Sequence, residues 1–495
     1  MVKIYIKNCN LCEMDLSAKE GIKLYNAFSI RHPSAFYLRR QVKNWDGIVH
    51  FISKGAQFKI GLLQSVINQC KEFGFKYSVV DMRRSLPVPK KPIDHIGEYK
   101  LRPEQIKAVS SILYNKVDNI PFHIGVIDYT VNAGKSLIMA ALYLSFKRKL
   151  KTLLITNDSD WLNQSKDEFP RYLPGEKISF IQGAKVFNWE NFSIGMIQSI
   201  SRNIKRYQKE LTQVDMVLVD EADLAGSKQY QSVLTHLYNT QVRIGLSGTI
   251  YMSNLKKDRL KNMNLKSFFG EVLAGFTLKQ SIQKGYSTNT IVKIVNTKPW
   301  FGNFYLEQGT YQDIYRKTII ENGLAYKVVL DRLKYNLNYG RIPALVVCKY
   351  IEHCEELCKY LKSCLESKYN YKIACVHVDT PTKLRRQIMN SFREGKIDIL
   401  VSTTIIARGK NFPLLRYMLN TADMDSQEKN IQFLGRLVRT HEGKDKAYLD
   451  DIWFPGNYLD RHGRHRKIYY QKQNLKVIIL GKGRVRDMSE HEIPF

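Results

Sequence analysis

The chain has no apolar run long enough to cross a membrane. A spanning helix needs about 18 or more consecutive apolar residues, and no such run occurs in the 495 residues. The first ten residues, MVKIYIKNCN, are also too poor in apolar side chains for the hydrophobic segment of a secretory signal. We therefore expect a protein that works in the cytoplasm.

Cysteines are few and are not spaced as a scaffold. Eight cysteines in a chain of 495 residues are too sparse for a disulfide framework. Cys9 and Cys12 form one CxxC pair, and no second CxxC completes a zinc site. Cys354 and Cys358 are four residues apart in a helix-like segment, which puts them on one helix face. These patterns favour reduced thiols.

Acidic residues are scarce relative to basic ones. The sequence has 77 Lys and Arg against 46 Asp and Glu, a formal net charge of +31. Such an excess attracts polyanions, of which nucleic acid is the most common. A generally basic proteome or a ribosome-associated chain would show the same balance. The charge therefore predicts a nucleic-acid partner without identifying it.

What the chain does contain is an alternation of short apolar runs and helix-like segments. This alternation is typical of buried parallel strands joined by helices. The runs lie at 152–156, 192–197, 216–220 and 243–249, and in a second series at 344–348, 373–378, 398–403 and 417–421.

The two series predict two α/β domains with parallel sheets. A proline-interrupted segment before the first series is typical of a linker. We expect a small α+β nucleic-acid-binding unit over 1–82, a linker over 83–97, α/β domains over 98–285 and 286–460, and a basic tail over 461–495.

A loop between a buried run and a helix-like segment contains the tripeptide Gly-Lys-Ser. The N-terminus of a helix exposes amide N–H groups that suit phosphate. Gly134 lets the backbone approach closely, Lys135 can reach the β and γ phosphates, and the Ser136 hydroxyl can bind Mg²⁺. An ordinary strand-to-helix turn can contain the same tripeptide, so other sequence signals are needed to distinguish a phosphate-binding loop from such a turn.

One such signal is the tetrapeptide DEAD after the run MVLVD. Open α/β sheets bind ligands at the carboxyl ends of parallel strands. Asp220 can hold Mg²⁺ through water, and Glu221 can polarise an attacking water. Buried carboxylates are costly without a cation, so this tetrapeptide supports a magnesium–nucleotide site.

Another signal is QFLGRLVR at 432–439. On a helix, Gln432, Arg436 and Arg439 would share one face because side chains three and four residues apart align. Arginines can neutralise the charge on a transferring γ-phosphoryl group. A solvated basic helix face is the alternative for this segment alone.

In this order, GKS, DEAD, the Ser-Gly-Thr of 247–249 and QxxGRxxR resemble the motifs of superfamily 2 helicases over residues 98–450. The resemblance implies two RecA-like domains in tandem, with ATP and Mg²⁺ as cofactors and a cleft between the domains that holds ATP. The residues implied to be catalytic are Lys135, Glu221, Arg436 and Arg439. Those implied to bind the nucleotide are Gln105, Asn132, Ala133, Gly134, Lys135, Ser136 and Gly409. Those implied to hold the metal are Ser136 and Asp220.

Shorter stretches extend the resemblance. LRPEQ at 101–105 resembles the entry motif whose glutamine reads adenine. MIQSI at 196–200 and STTIIARGKNFP at 402–413 resemble elements that contact the bound strand. The residues that the resemblance implies to contact nucleic acid are Gln198, Ser199 and Thr403. The resemblance also implies that Ser247 and Thr249 couple hydrolysis to domain motion.

The phosphate loop departs from the family pattern AxTGxGKT at Tyr129 and Asn132. The residues with direct phosphate and metal roles are retained, so we expect slower turnover before a loss of turnover. The RNA-helicase sequences PTRELA, SAT and HRxGRxGR are absent or changed, which favours a DNA-directed member.

The N-terminal region is rich in basic and aromatic residues. Its cations include Arg39, Arg40 and Lys43, and aromatic residues are interleaved with them. The aromatic residues can equally be core. The NWDG turn and the following segments are similar to the N-terminal domain of phage UvsW-type recombination helicases, which unwind and branch-migrate junction DNA.

These observations predict an ATP-dependent helicase or translocase on single-stranded and branched DNA, with recombination or replication proteins as further partners. An RNA-directed motor and the motor part of a restriction complex remain alternatives. A binding or annealing protein with an inactive loop is the alternative outside enzymes.

Overall fold

The computed structural model describes residues 1–39, 42, 45–86, 91–146, 150–183, 188–250, 258–301, 308–407 and 412–481. The chain divides into two compact units, Met1–Phe276 and Thr277–Phe495. None of the helices in these ranges is long and apolar enough to span a membrane.

The first part of unit 1 is a small mixed sheet with two longer helices. Its sheet has the strand order β5-β2-β1-β6, with β1 and β6 parallel and the other neighbours antiparallel. The elements are β1 Val2–Ile6, β2 Leu11–Asp15, α1 Ala18–Ala27, β3 Ser29–Arg31, α2 Ala35–Leu38, β4 Ile48–His50, β5 Gln57–Lys59, α3 Leu63–Glu72 and β6 Tyr77–Asp81.

The rest of unit 1 is a parallel sheet flanked by helices. Its seven strands have the order β13-β14-β12-β15-β16-β11-β17. Short strands and a helix lead into it: β7 His95–Ile96, β8 Tyr99–Lys100, α4 Pro103–Leu113, β9 Lys116–Val117 and β10 Ile120–Pro121. The sheet and its helices follow as β11 Ile124–Tyr129, α5 Lys135–Leu144, β12 Thr152–Thr156, α6 Ser159–Tyr172, β13 Ile178–Ile181, β14 Phe192–Met196, α7 Ile197–Arg202, α8 Gln208–Thr212, β15 Met216–Asp220, α9 Lys228–Leu234, β16 Val242–Ser247, α10 Arg259–Phe269 and β17 Val272–Phe276.

Unit 2 repeats this architecture. Its seven parallel strands have the order β20-β21-β19-β22-β23-β18-β24. Its first elements are α11 Leu278–Gln283, β18 Asn289–Asn296, α12 Lys298–Phe301, α13 Tyr311–Tyr315, α14 Gly323–Asn338, β19 Ala344–Cys348 and α15 Ile351–Tyr369. The remainder are β20 Ile373–Val376, α16 Thr382–Arg393, β21 Ile399–Thr403, β22 Tyr417–Asn420, α17 Gln427–Leu437, β23 Lys446–Trp453, α18 Asn457–Lys472 and β24 Lys476–Leu480.

The predicted fold class is confirmed: two α/β sheets of the RecA-like kind follow a small α+β region. The central strands are apolar and fully buried, as in Thr152–Thr156, Met216–Asp220 and Ala344–Cys348. A strand covered by helices on both faces needs such continuous apolar runs. This requirement is why the runs could be located from sequence.

The predicted domain limits differ from the structure in three places. The units divide between Phe276 and Thr277, not at 285/286. Of the linker predicted at 83–97, residues 87–90 lie outside the described residues. The two ends that are described make contacts, because Arg83 donates to the carbonyl oxygen of Pro121 and residues 95–96 pair with β8.

The third difference is at the C-terminus, where 461–480 continues the second domain. Helix α18 runs to Lys472, and β24 pairs in parallel with β18. Basic composition suggested a separate tail, but Arg466 is fully buried and its charge is neutralised by Asp423 and Asp451.

Candidate nucleotide site and nucleic-acid contacts

The loop between β11 and α5 has the backbone shape that a phosphate requires. Gly134 precedes the helix with φ +72°, a left-handed conformation that glycine adopts without steric cost. Asn132 has φ +64°, and asparagine is among the side chains that tolerate this region best. Asn132 therefore supplies the conformation for which the family pattern uses glycine.

Tyr129, the other departure, belongs to the core. Its side chain is 1% exposed, and its hydroxyl donates to the carbonyl oxygen of Glu104 at 2.6 Å. The ring lies 5.6 Å from that of Phe276, and burial raises the pKa of the phenol to about 12. The hydrogen bond of Tyr129 therefore connects the end of β11 to α4, and its aromatic ring packs in the core.

Lys135 and Ser136 begin helix α5. The Lys135 ammonium donates to the carbonyl oxygens of Tyr129 at 3.3 Å and Thr130 at 3.5 Å. These hydrogen bonds hold the Lys135 side chain against the backbone of its own loop. Ser136 is partly exposed in the first helical turn. Both side chains are therefore placed at the mouth of the loop.

Asp220 is the last residue of β15 and Glu221 follows it, and β15 lies two strands from β11 in the sheet. Burial raises the pKa of Asp220, and the charge of Lys135 opposes that rise. Burial raises the pKa of Glu221 to about 8, and the negative charges of Asp220 and Asp223 contribute to this rise. The positive charge of Lys135 again opposes it. Lys135 and the two carboxyls therefore form one electrostatic site at the carboxyl edge of the sheet.

This donor set fits a magnesium–nucleotide complex. Buried carboxyl groups favour a cation, and carboxylate and hydroxyl oxygens suit Mg²⁺. Asp220 and Ser136 are the residues that would hold it. No group of three or more His, Cys, Asp or Glu side chains in the described ranges forms a metal site by itself.

One further carboxyl group at this edge, that of Asp128, escaped the sequence analysis, and Asp223 entered it only as part of the DEAD tetrapeptide. Asp128 in β11 is in register with Ser247 of β16, and burial raises its pKa to about 6. The Ser247 hydroxyl donates to Asp223 at 2.8 Å and accepts from the Thr249 amide at 3.2 Å. The DEAD and Ser-Gly-Thr segments are therefore connected by a side-chain hydrogen bond. A polar residue at the end of an apolar run was the signal for Asp128.

Gln105 lies against the phosphate loop. Its side-chain amide is 1% exposed and donates to the carbonyls of Ala133 at 3.1 Å and Gly134 at 3.3 Å, while its oxygen accepts from the Arg102 amide. Gln105 therefore braces the Gly134 turn, and adenine would have to compete with these bonds.

The residues expected to contact nucleic acid differ in exposure. The Ser199 hydroxyl is buried and accepts from the Gly183 amide at 2.8 Å, so it shapes a turn; the neighbouring Gln198 is partly exposed. Thr403, at the end of β21, lines a cavity of about 380 Å³ in unit 2, together with Lys349 and Lys429.

The predicted arginine fingers lie at the end of one helix. Arg436 is in the last turn of α17, but the helix ends at Leu437, so Arg439 lies beyond it. The expectation of one shared helix face is therefore wrong for Arg439. The residue after the last turn, Val438, has φ −78° and ψ 1°, which ends the helical row of side chains.

Lys444 holds this helix end and was missed by sequence reasoning. Its buried ammonium donates to the carbonyl oxygens of Leu437 at 2.7 Å and Arg439 at 2.8 Å. Cations stabilise helix C-termini in this way. Burial lowers the pKa of Lys444 to about 7, and the charges of Arg416 and Arg439 lower it further. No spacing rule points to this lysine, because it acts from a loop.

In the N-terminal region, Phe36 and Tyr37 of α2 are 66% and 69% exposed. Arg39, which follows this helix, is exposed, and its Nε donates to the Trp45 carbonyl at 3.3 Å. The predicted contact residues Arg40 and Lys43, and the predicted nucleotide residue Gly409, lie outside the described residues. Exposed aromatics beside a cation suit nucleic-acid contact.

Two family models match parts of this chain, one in each unit. A model of the type III restriction enzyme res subunit matches residues 98–252, and one of the helicase conserved C-terminal domain matches 328–441. The ATP-dependent DNA helicase uvsW of Enterobacteria phage T4 is 24% identical over 518 residues, which cover 97% of this chain and 99% of that protein. Putative helicase 22 of Sulfolobus islandicus filamentous virus is 23% identical over 72% of this chain and 65% of its own.

Among solved structures, a fragment of a putative HsdR subunit of a type I restriction enzyme from Vibrio vulnificus is similar with a TM-score of 0.54. It is 17% identical, and the match covers 85% of this chain and 75% of that one. This similarity supports the fold.

Proposed function

Because the chain belongs to the superfamily 2 ATP-dependent helicases, we propose that it uses ATP and Mg²⁺ to translocate on DNA and to remodel forks and junctions. This work belongs to replication, recombination or repair. The observation that carries the proposal is the phosphate loop, in which Gly134 at φ +72° precedes Lys135, at the sheet edge where β15 ends in the buried Asp220.

The proposed roles follow from the chemistry of each side chain. Lys135 binds the β and γ phosphates, and Ser136 and Asp220 hold the magnesium ion. Glu221 orients the attacking water and accepts its proton as a general base. Arg436 and Arg439 neutralise charge on the transferring phosphoryl group.

DNA is proposed as the substrate for two reasons. The relative that aligns with nearly the whole chain is a DNA helicase by name, and the RNA-helicase versions of three motifs are absent or changed. ATP-dependent RNA helicases also match part of the chain, as RhlB of Vibrio atlanticus does at 22% identity over 77% of it. RNA is therefore the second candidate substrate.

The test is ATP hydrolysis by the wild type and Lys135→Ala, each alone and with single-stranded DNA, a four-way junction or RNA. We expect the junction to stimulate the wild type most and the variant to lose about a hundredfold or more, because a direct phosphate contact is removed. Best stimulation by RNA would overturn the substrate assignment. No hydrolysis on any substrate would leave a binding or annealing protein.

The N-terminal region is proposed to hold the second arm of a branched substrate. Phe36 and Tyr37 offer faces for bases, and Arg39, Arg40 and Lys43 offer charges for phosphates. Replacing the three cations by Ala should weaken fork binding while sparing ATPase on single strands. Equal loss of both activities would contradict this division of labour.

A further inference from the structure

Unit 2 has a second cavity, of about 360 Å³, at the amino edge of its sheet. Arg341, Arg416 and Lys446 lie just before or at the start of β19, β22 and β23, which are neighbours in that sheet. The cavity lined by Thr403 lies at the carboxyl edge, about 16 Å away along a five-residue strand. The two cavities are therefore separate sites.

The inner wall is an arginine held between aromatic rings. The guanidinium of Arg341 lies 3.6 Å from the ring centroid of Tyr448 and 4.9 Å from that of Tyr339. It also donates to Asn336 at 2.8 Å and is 8% exposed. Stacking and this hydrogen bond fix the cation before any ligand arrives.

The rim offers charge and an exposed aromatic face. Tyr339 is 59% exposed just after the end of α14. Arg416 donates to the carbonyl of Gly443 at 2.5 Å, and Lys446 is exposed beside it. Asp445 is the one carboxylate that lines the cavity, against three cations. The cavity is therefore positive, with a large π surface at its entrance.

We infer that this cavity binds a segment of single-stranded nucleic acid. Its phosphates contact Arg416 and Lys446, and a base stacks on Tyr339, whose other neighbour is the Arg341 cation. A few hundred cubic ångströms suit a ligand of nucleotide size, and aromatic faces bind bases of any sequence. An acidic peptide would use the cations but leave the exposed ring without a role.

The inference rests on the proposed function in taking nucleic acid as the polyanion. It adds a strand-holding site at the amino edge of the sheet, away from the cavity that Thr403 lines at the carboxyl edge. A motor that acts on branched DNA must handle more than one strand, and this site would hold a strand that the motor is not moving.

The test compares Tyr339→Ala and the double variant Arg416→Gln/Lys446→Gln with two controls in the full-length chain. The controls are Tyr369→Ala, a tyrosine 46% exposed at the end of α15, and Lys359→Gln/Lys362→Gln, which removes two exposed cations elsewhere in unit 2. The probe is a fluorescent oligothymidylate, titrated at several salt concentrations by anisotropy. Photocrosslinking of an iodouracil-containing oligonucleotide then maps the contact.

We expect Tyr339→Ala to bind roughly 5- to 150-fold more weakly, as for loss of one stacked base. The double variant should reduce the salt slope by about 1.4, for two lost phosphate contacts on a single strand. The crosslink should map to Tyr339 or Tyr448, and basal ATPase without nucleic acid should be unchanged.

Three results would overturn the inference: binding equal to the controls, a crosslink confined to other parts of the chain, or competition by polyglutamate as strong as by oligothymidylate. A wild type that hydrolyses no ATP, yet binds the oligonucleotide through Tyr339, would refute the motor and leave this site standing.

Discussion

At the scale of single residues, two departures from a familiar loop have opposite structural meanings. Asn132 occupies the left-handed conformation that the loop requires, so one permissive residue replaces another. The ring of Tyr129 is buried in the core, and its hydroxyl donates a hydrogen bond to the carbonyl oxygen of Glu104. Neither side chain disturbs Lys135 or Ser136. The expectation of slower turnover, based on Tyr129, therefore has no steric support in the loop.

The loop predicts a contrast between two substitutions of Asn132. Asn132→Gly should leave KM for ATP within about twofold of the wild type, because glycine adopts positive φ freely. Asn132→Val should raise KM about tenfold, since a β-branched residue at φ +64° costs about 1–2 kcal/mol. Steady-state ATPase measurements check both, and equal KM values would show that backbone shape does not limit binding.

At the scale of elements, strands were predicted more accurately than the ends of helices. The runs at 152–156, 216–220 and 344–348 coincide with strands, because burial on both faces demands continuous apolar sequence. Helix α17 ends before Arg439, and Lys444 holds that end from a separate loop. Periodicity predicts which side chains share a helix face but not where the helix is stopped.

Lys444 predicts a pH-dependent stability. Its native pKa is about 7 against 10.5 in the unfolded chain, so between these values the unfolded state binds more protons. Stability contributed by this lysine therefore rises with pH through that window. The difference in unfolding free energy between wild type and Lys444→Met should grow from about pH 7 to about pH 9. Urea titrations measure it, and a constant difference would refute the buried titration.

At the scale of the whole molecule, the N-terminal region is part of the core of unit 1. Val117, Phe122 and Ile124, which lead into the first RecA-like sheet, pack in one apolar cluster with strands β1 and β2 and helix α3. The buried guanidinium of Arg243 in β16 donates to Asn10 of the N-terminal region. The region therefore stabilises the domain that binds the nucleotide.

This shared core predicts that unit 1 is destabilised by changes on either side of it. Phe122→Ala, at a side chain 2% exposed, should cost about 3–5 kcal/mol. Phe180→Ala, at a partly buried position in β13, is the matched control and should cost less. A chain that begins at residue 91 should aggregate. Denaturation and gel filtration test these points, and a stable truncated monomer would show that the region is independent.

The sequence by itself determined the fold class, most central strands and the presence of the phosphate loop, DEAD and arginine segments. It could do so because burial of parallel strands and phosphate chemistry each restrict residue type over short stretches. Tertiary structure alone decided that the N-terminal region shares a core, that 461–480 continues the second domain, and that Gln105 braces the loop. It also decided which cations surround Tyr339. Those relations join residues far apart in the chain, and local spacing carries no information about such contacts.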